Sequence, residues 1–549
     1  VGTALPPLRH WLVIVSCVAL CLLPAFILGA GGADLHCQAL WVKLFASQLH
    51  QGELYPRWLQ DMFAGDGSPV FFYYPPLTYY VTALFNFLLP AGPFGYYPMV
   101  ASAALAAFIA AVTFYIWIKD ETGNADSALL GCLLYVIAPA NLTQNFYYLM
   151  LFSSLWAYAW VPLLLLFTKK VMQGRAYAVA GYALSLCLLV LSNLPMTFIF
   201  GSLSVAYAFL HLTKDRYGKQ LLRFASAIAL GFGLSAFYLA PSLLYIGFAN
   251  LDFEWTRGKL VRTPYVQNAI GLHNKIYIFY GCSSVLLMSL YWRFGPARPS
   301  RLFFFIASLV SLFMMLPVSK PLWDNLPLGI IQTSERLFSV IALSLAFLAA
   351  IAFPKLRVAG IGLCVFYLCV LMVVAQNTRV TVAQFRQTDP ARYQAYNLNI
   401  EQYATYLTTP DLMKRYGTPQ GVAEMMKHRE PIEVLNGDAV VNVMQWKPRD
   451  ILLHYEAKKT STLLVRQLDF PGWRAFADGN ELNVTRNSET GQVQLEVPIG
   501  VADIHLRLTA LLPERAGKFL SWISAAVMLL YILLSAERRQ RISTAANNA

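Results

Sequence analysis

The sequence predicts a polytopic α-helical membrane protein with about twelve spanning helices and a C-terminal external β-rich domain. Three observations carry that prediction. Apolar runs of spanning length recur along the chain, the first being "WLVIVSCVALCLLPAFILGA" after Arg9 and His10; 57% of the 549 residues are hydrophobic and 13% are charged. Lys and Arg gather in short loops between those runs: Lys169, Lys170 and Arg175; Lys214, Arg216, Lys219 and Arg223; Arg293, Arg298 and Arg301; Lys355 and Arg357; and "ERRQR" at 537–541. Near the C-terminus the pattern changes to the period-two alternation of strands, in "LLHYEA", "TLLVRQLDF", "QVQLEV" and "DIHLRL", with Asp478-Gly479 as a turn and Pro471-Gly472 as a break.

Putting every basic loop on the cytoplasmic side fixes the order of crossings. Helices are expected at about 96–118, 127–140, 146–168, 176–193, 195–212, 222–248, 277–292, 302–317, 336–353, 357–376 and 517–536, after a retained first helix anchored by Arg9. The same rule accounts for the net charge of +13, so no nucleic-acid partner is needed. The eight cysteines fall mostly inside apolar runs and form neither a disulfide framework nor a Cys-x-x-Cys metal site.

A further crossing at 77–90 would put residue 10 on the wrong side, and that run is short, with prolines at both ends. Residues 31–95 therefore read as one long external loop with segments lying in the interface plane. In "CQALWVKLFASQLHQGE", Leu40, Trp41, Leu44, Phe45 and Leu49 recur at helical spacing opposite Gln38, Lys43, Ser47, Gln48 and His50, which is how a helix lies on a bilayer. Before it, "GGADLH" sets Asp34 and His36 where the first helix emerges. The chain thus divides into a transmembrane domain at 1–376, an external α/β domain at 377–515 with a β-sandwich-like second half, and a final helix with a cytoplasmic basic tail at 516–549.

Several segments resemble known proteins. "ELYPRWLQDMFAGDGSPVFFYYPPLTYY", "LLYVIAPANLTQN", "LGFGLSAFYLAPSLL" and "SERLFSVIALSLAFLAAIA" are similar, in order, to the bacterial membrane family named for a 6-pyruvoyl-tetrahydropterin-synthase-related domain. The end of the chain, from "FPGWRAFADGNEL" through the last helix, resembles YfhO-like membrane proteins. A pterin synthase would be soluble and would need clustered zinc-binding histidines, whereas the eight histidines here are scattered. Both groups resemble GT-C glycosyltransferases. That resemblance implies a bacterial inner-membrane protein with its catalytic face and C-terminal domain in the periplasm, which moves sugar from a polyprenyl-phosphate donor to an external glycan or lipid acceptor.

The resemblance puts a catalytic carboxylate in the first external loop just after the first helix, and Asp34 matches that position. An acceptor hydroxyl has a high pKa, so a carboxylate beside it, or one holding a divalent cation such as Mg or Mn beside it, helps remove the proton. No cofactor is certain, and Asp34 would hold the metal if one takes part. The leaving lipid phosphate needs cations, for which the candidates are Arg57, Arg257, Lys259, Arg262, Lys320 and Arg336. Each taken singly also fits a contact with membrane lipid headgroups. His36 and Asp66 complete the first-loop set, and Tyr73, Tyr74, Tyr79 and Tyr80 can stack on sugar faces while Gly65, Gly67 and Pro75-Pro76 bend the chain over a cavity. In one place the match fails. Where this family usually has an Arg-Gly pair and a Glu, the chain reads "NLTQNFYYLMLFSSLWAYAWVP", with Ser153 or Ser154 near the Glu position. A non-catalytic GT-C-like scaffold that binds polysaccharide or lipid is therefore the alternative, and a transporter is a third reading.

Overall fold

The computed structural model describes residues 5–28, 32, 34–90, 96–248, 284–294, 298–387 and 430–547, of which those up to 387 are mainly helical and those after 430 form a β-sheet domain and a last helix. Helix α1 (Leu8–Leu28) is followed by α2 (Leu35–His50), α3 (Val70–Tyr73) and α4 (Leu77–Leu88). Next come α5 (Tyr96–Thr122), α6 (Ala125–Ile137), a π-helical segment (Pro139–Tyr148), α7 (Phe152–Met172), α8 (Ala178–Ser192), α9 (Leu194–Phe209), α10 (Tyr217–Leu234) and α11 (Ala236–Leu244). Beyond the helical stretch at 284–294 lie α12 (Pro299–Met314), α13 (Lys320–Asn325), α14 (Phe338–Ala352) and α15 (Arg357–Gln387).

Among the described residues, seven helices are long and apolar enough to cross a membrane, or eight if α10 and α11, bent by 76° at Ser235, are one broken span. The sequence leads to a larger number because α8, α9 and α12 are apolar but shorter than a full crossing; α4, which the sequence places in the external loop, is short as well. The run expected at 277–292 lies partly outside the described residues. The break expected between 140 and 146 falls instead at Leu149–Leu151, because the π-helical segment carries the α6 span on to Tyr148.

Helix α14, "FSVIALSLAFLAAIA", is apolar on every side, and such a helix is stable only when surrounded. It is accordingly the centre of the bundle, with 89% of its spanning window buried, whereas the last helix has 6% of its window buried and lies at the edge. Small residues let the helices close on it: a Cβ at Gly131 would stand 2.9 Å from the Ala350 Cβ and from the Phe114 ring.

The two ends of the bundle differ in chemistry. At one end Lys169 pairs with Asp120 at 3.2 Å and Glu121 at 2.9 Å, Gln220 donates to the Met172 carbonyl at 2.8 Å, and the Arg298 guanidinium donates to the Glu121 carbonyl. These contacts bring the basic loops together. The opposite end carries the first loop, a set of uncharged polar side chains, and the β domain.

That domain is a single antiparallel sheet of β1 (Ile432–Lys447), β2 (Asp450–Leu468), β3 (Trp473–Ala477), β4 (Asn480–Leu482), β5 (Val484–Arg486), β6 (Gln492–Val497) and β7 (Gly500–Leu508). Strands β1 and β2 form a long ribbon. On the other edge of β2, its first half (Asp450–Ala457) pairs with β7 and its second half (Ser461–Leu468) with β6. The two wings meet where β3 touches β5 and β4 touches β6, and they enclose Leu453, Leu463, Val465, Val493, Ile504 and Leu506. The expected sandwich-like half is thus one sheet folded through its longest strand. The helical reading of 388–429 lies outside the described residues, and α15 runs past the expected end at 376 to Gln387. The chain closes with α16 (Leu512–Asn547).

Trp473 is buried at the domain's lower edge, where it donates to the Leu468 carbonyl at 3.2 Å and meets Trp58 edge-to-face at 5.8 Å. Trp473→Ala is expected to cost about 3–5 kcal/mol by leaving an indole-sized void. Denaturant unfolding in detergent measures the loss, and normal stability with lost glycan binding would make the indole a sugar platform instead. The two ends also make a topology prediction. Cysteines at exposed Leu54 and Glu481 should react with an impermeant thiol reagent added outside, and one at exposed Lys219 should not. Label at Lys219 would reverse the assignment of ends.

Candidate functional site

Polar side chains concentrate where the helix ends opposite the basic loops converge. Asp34 stands at the N-cap of α2 but makes no side-chain cap hydrogen bond; its backbone N–H donates to the Leu149 carbonyl at 3.1 Å. The approach is close. A Cβ on Gly32 would stand 2.7 Å from the Met150 Cβ, so the glycine ahead of Asp34 lets the chain lie against the break before α7. Met150 itself has a positive φ of 56° in that break.

Tyr74 faces the same break. Its hydroxyl is 3.1 Å from Ser153 Oγ and its ring meets Trp41 edge-to-face at 4.8 Å. Burial raises the phenol above its ordinary pKa, and the nearby Asp34 carboxylate adds to that rise. Ser153 then connects to Asn193, whose Nδ2 donates to Ser153 Oγ at 2.9 Å and to Ser154 Oγ at 3.3 Å. Asn193 lies between α8 and α9 because its Oδ1 caps α9 at the Met196 N–H, 3.0 Å away. The same oxygen accepts from Arg336 Nη1 at 3.4 Å. With Oδ1 facing two donors, the amide has a fixed orientation, so the path from Arg336 through Asn193 to Ser153 has a defined polarity, and either hydroxyl can donate in its last link to Tyr74.

Arg336 is held from its other side as well. Nη2 donates to Gln332 Oε1 at 2.6 Å, and Gln332 is the centre of a γ-turn with φ 65°, closed by the Thr333 N–H on the Ile331 carbonyl at 2.8 Å. Beside it in the turn Ser334–Leu337, Glu335 Oε2 accepts from Gln144 Nε2 at 3.4 Å. Gln144 belongs to the π-helical segment, where Pro139 and the wider helix free carbonyls that polar side chains then occupy: Asn145 donates to Ala140 at 2.8 Å, as does Tyr158 at 3.0 Å.

Other residues singled out in the sequence do different work. Arg57 is buried in the seam between the two domains. Its guanidinium lies 3.8 Å from Glu514, donates to the Phe237 carbonyl at 2.6 Å and stacks 4.3 Å from the Tyr55 ring. Asp66 is also buried there, accepting from Gln492 at 2.8 Å and pairing with Arg466 at 3.4 Å. The "GDG" bend is therefore a socket for the β domain; the Asp66 carboxylate turns to β6 and β2. Tyr73 donates to the Tyr245 carbonyl at 2.6 Å, Tyr80 to the Leu54 carbonyl at 2.7 Å, and Tyr79 to Gln38. These rings pack inward, so of the aromatic stretch Tyr74 is the member that joins the polar chain.

Gln38 and Gln48 are buried too, and the apolar face of α2, with Trp41, Leu44 and Phe45, is covered by protein, while Lys43 and His50 stay exposed, so α2 is not a helix lying freely on a bilayer. Lys320 pairs with Asp324 one turn on. Arg257, Lys259, Arg262 and the side chain of His36 lie outside the described residues.

Sequence reasoning missed Asn193, Glu335 and Gln144. Asn193 had a signal in "LSNLP", an Asn before Leu-Pro that reads as a helix N-cap, but nothing in the sequence ties it to Arg336. Among the described residues no group of three or more His, Cys, Asp or Glu side chains gathers where a metal could be held.

No curated protein matches the chain. Residues 71–385 match the family described as 6-pyruvoyl-tetrahydropterin synthase related domain, membrane protein. That stretch covers more than half of the chain, and the protein belongs to the 6-pyruvoyl-tetrahydropterin synthase related family of membrane proteins.

Proposed function

We propose that this protein is a GT-C-type membrane glycosyltransferase, moving a sugar from a polyprenyl-phosphate donor to a glycan or lipid acceptor outside the bacterial inner membrane. The observation that carries the reading is the side-chain path from Tyr74, near the Asp34 carboxylate, through Ser153 and Asn193 to Arg336. Partly buried ionisable groups are costly to keep from water, and a ligand or reaction that uses them offsets that cost. Arg336 offers a planar fork for the lipid phosphate. Asp34 takes the acceptor's proton. The acceptor oxygen bonds to the anomeric carbon while the bond from that carbon to the phosphate oxygen breaks. The phosphate leaves with the electron pair, drawn by the guanidinium, and the hydroxyl proton goes to the carboxylate.

Ser153 and Ser154 support the second reading, a scaffold that binds polysaccharide or lipid without turnover, because they stand where a second acid would assist the chemistry. The test is transfer by purified protein in nanodiscs, supplied with polyprenyl-phosphate sugars and cell-envelope glycan. Transfer by wild type that Arg336→Ala reduces through weaker donor binding is the expected result. Binding of glycan with no transfer from any donor would favour the scaffold.

A further inference from the structure

Glu335 is a carboxylate without an assigned use. It is half-buried at the mouth of the bundle's central helix and, among the described residues, accepts one hydrogen bond, from Gln144 at 3.4 Å. Among the described residues it makes no ion pair, even though Arg336 follows it directly, because the Arg336 guanidinium is turned to Asn193 and Gln332. An ionised carboxylate has about four lone-pair sites, so a single long hydrogen bond leaves most of its accepting capacity open. Keeping such a group partly out of water without a direct ion pair or a full set of donors is costly, even with the Arg336 charge nearby. Its surroundings also favour one kind of ligand. Gln144 fixes one oxygen, the neighbouring guanidinium selects for an anion, and the remaining lone pairs ask for O–H donors. A phosphate with hydroxyls close by has both properties.

We propose that Glu335 reads the sugar of the donor, accepting hydrogen bonds from ring hydroxyls next to the phosphate that Arg336 holds. The Glu335-Arg336 pair then recognises a sugar 1-phosphate unit as a whole. This rests on the reading of Arg336 as the donor-phosphate residue, and the experiment separates the two. Farnesyl phosphate, and farnesyl phosphate carrying glucose, mannose or galactose, are titrated against the full-length protein in nanodiscs. Wild type should bind the bare lipid phosphate and bind at least one sugar-bearing lipid more tightly.

Glu335→Ala should lose that margin, about tenfold or more, the amount expected for hydrogen bonds to a charged acceptor, while bare-lipid affinity stays within about twofold. Glu335→Gln, which keeps the shape and the fold, should lose most of the same margin. Arg336→Ala should weaken both classes of lipid. Equal weakening of bare and sugar-bearing lipids by the Glu335 variants, or no sugar preference in wild type, would overturn the assignment of Glu335 and leave the phosphate reading intact. Failure of wild type to bind any of the lipids would remove the phosphate reading, and this inference with it.

Discussion

Asp34→Asn is expected to lower sugar transfer by about two to four orders of magnitude, the range for losing general-base assistance, while membrane insertion and folding survive. The substitution keeps size and most hydrogen bonding and removes the charge. Its structural cost should be small because Asn keeps the side chain's size, no N-cap bond is lost, and the backbone N–H bond to the Leu149 carbonyl is unaffected. The measurement is donor-dependent transfer at matched protein levels, with Asn193→Ala as a comparison. Asn193 positions Arg336 and caps α9, so Asn193→Ala should raise the KM for donor and cost about 1 kcal/mol of stability. Wild-type transfer by Asp34→Asn would reduce Asp34 to a helix-end carboxylate, and a kcat loss with unchanged donor KM in Asn193→Ala would make Asn193 more than a positioning residue.

Glu514→Ala is expected to destabilise the joined domains by about 3–5 kcal/mol, as removal of one partner from a buried ion pair does. Glu514 lies 3.8 Å from Arg57 and 3.5 Å from Arg449, and it is almost fully buried, so its loss takes a shared carboxylate from two guanidinium groups in the seam. Limited proteolysis and unfolding in detergent should both report the change, with the β domain released first. Arg57→Met combined with Glu514→Met should recover part of the loss, since the apolar replacement removes a desolvated charge of each sign together. An unchanged unfolding midpoint in Glu514→Ala would mean that the apolar contacts of Trp58 with Trp473 and Phe470 hold the seam unaided.

The sequence by itself determined the class of the molecule. Spanning-length apolar runs, basic loops and period-two alternation are local signals, each governed by burial or membrane insertion within one segment, and they marked the apolar helices and the C-terminal β domain. Tertiary structure alone decided which polar residues share a site. Arg57, Asp66 and Arg336 look alike in sequence, as charges at helix mouths or loop bends. Folding sends the first two into the domain seam and joins the third to Asn193, 143 residues away in the chain. The same holds for Glu335, which the order of residues separates by 191 positions from Gln144. Such pairings depend on how helices cross and where a π-turn or a γ-turn aims a side chain. No periodicity records that, because hydrogen bonds between distant segments are set by packing of the whole bundle and not by the composition of either segment.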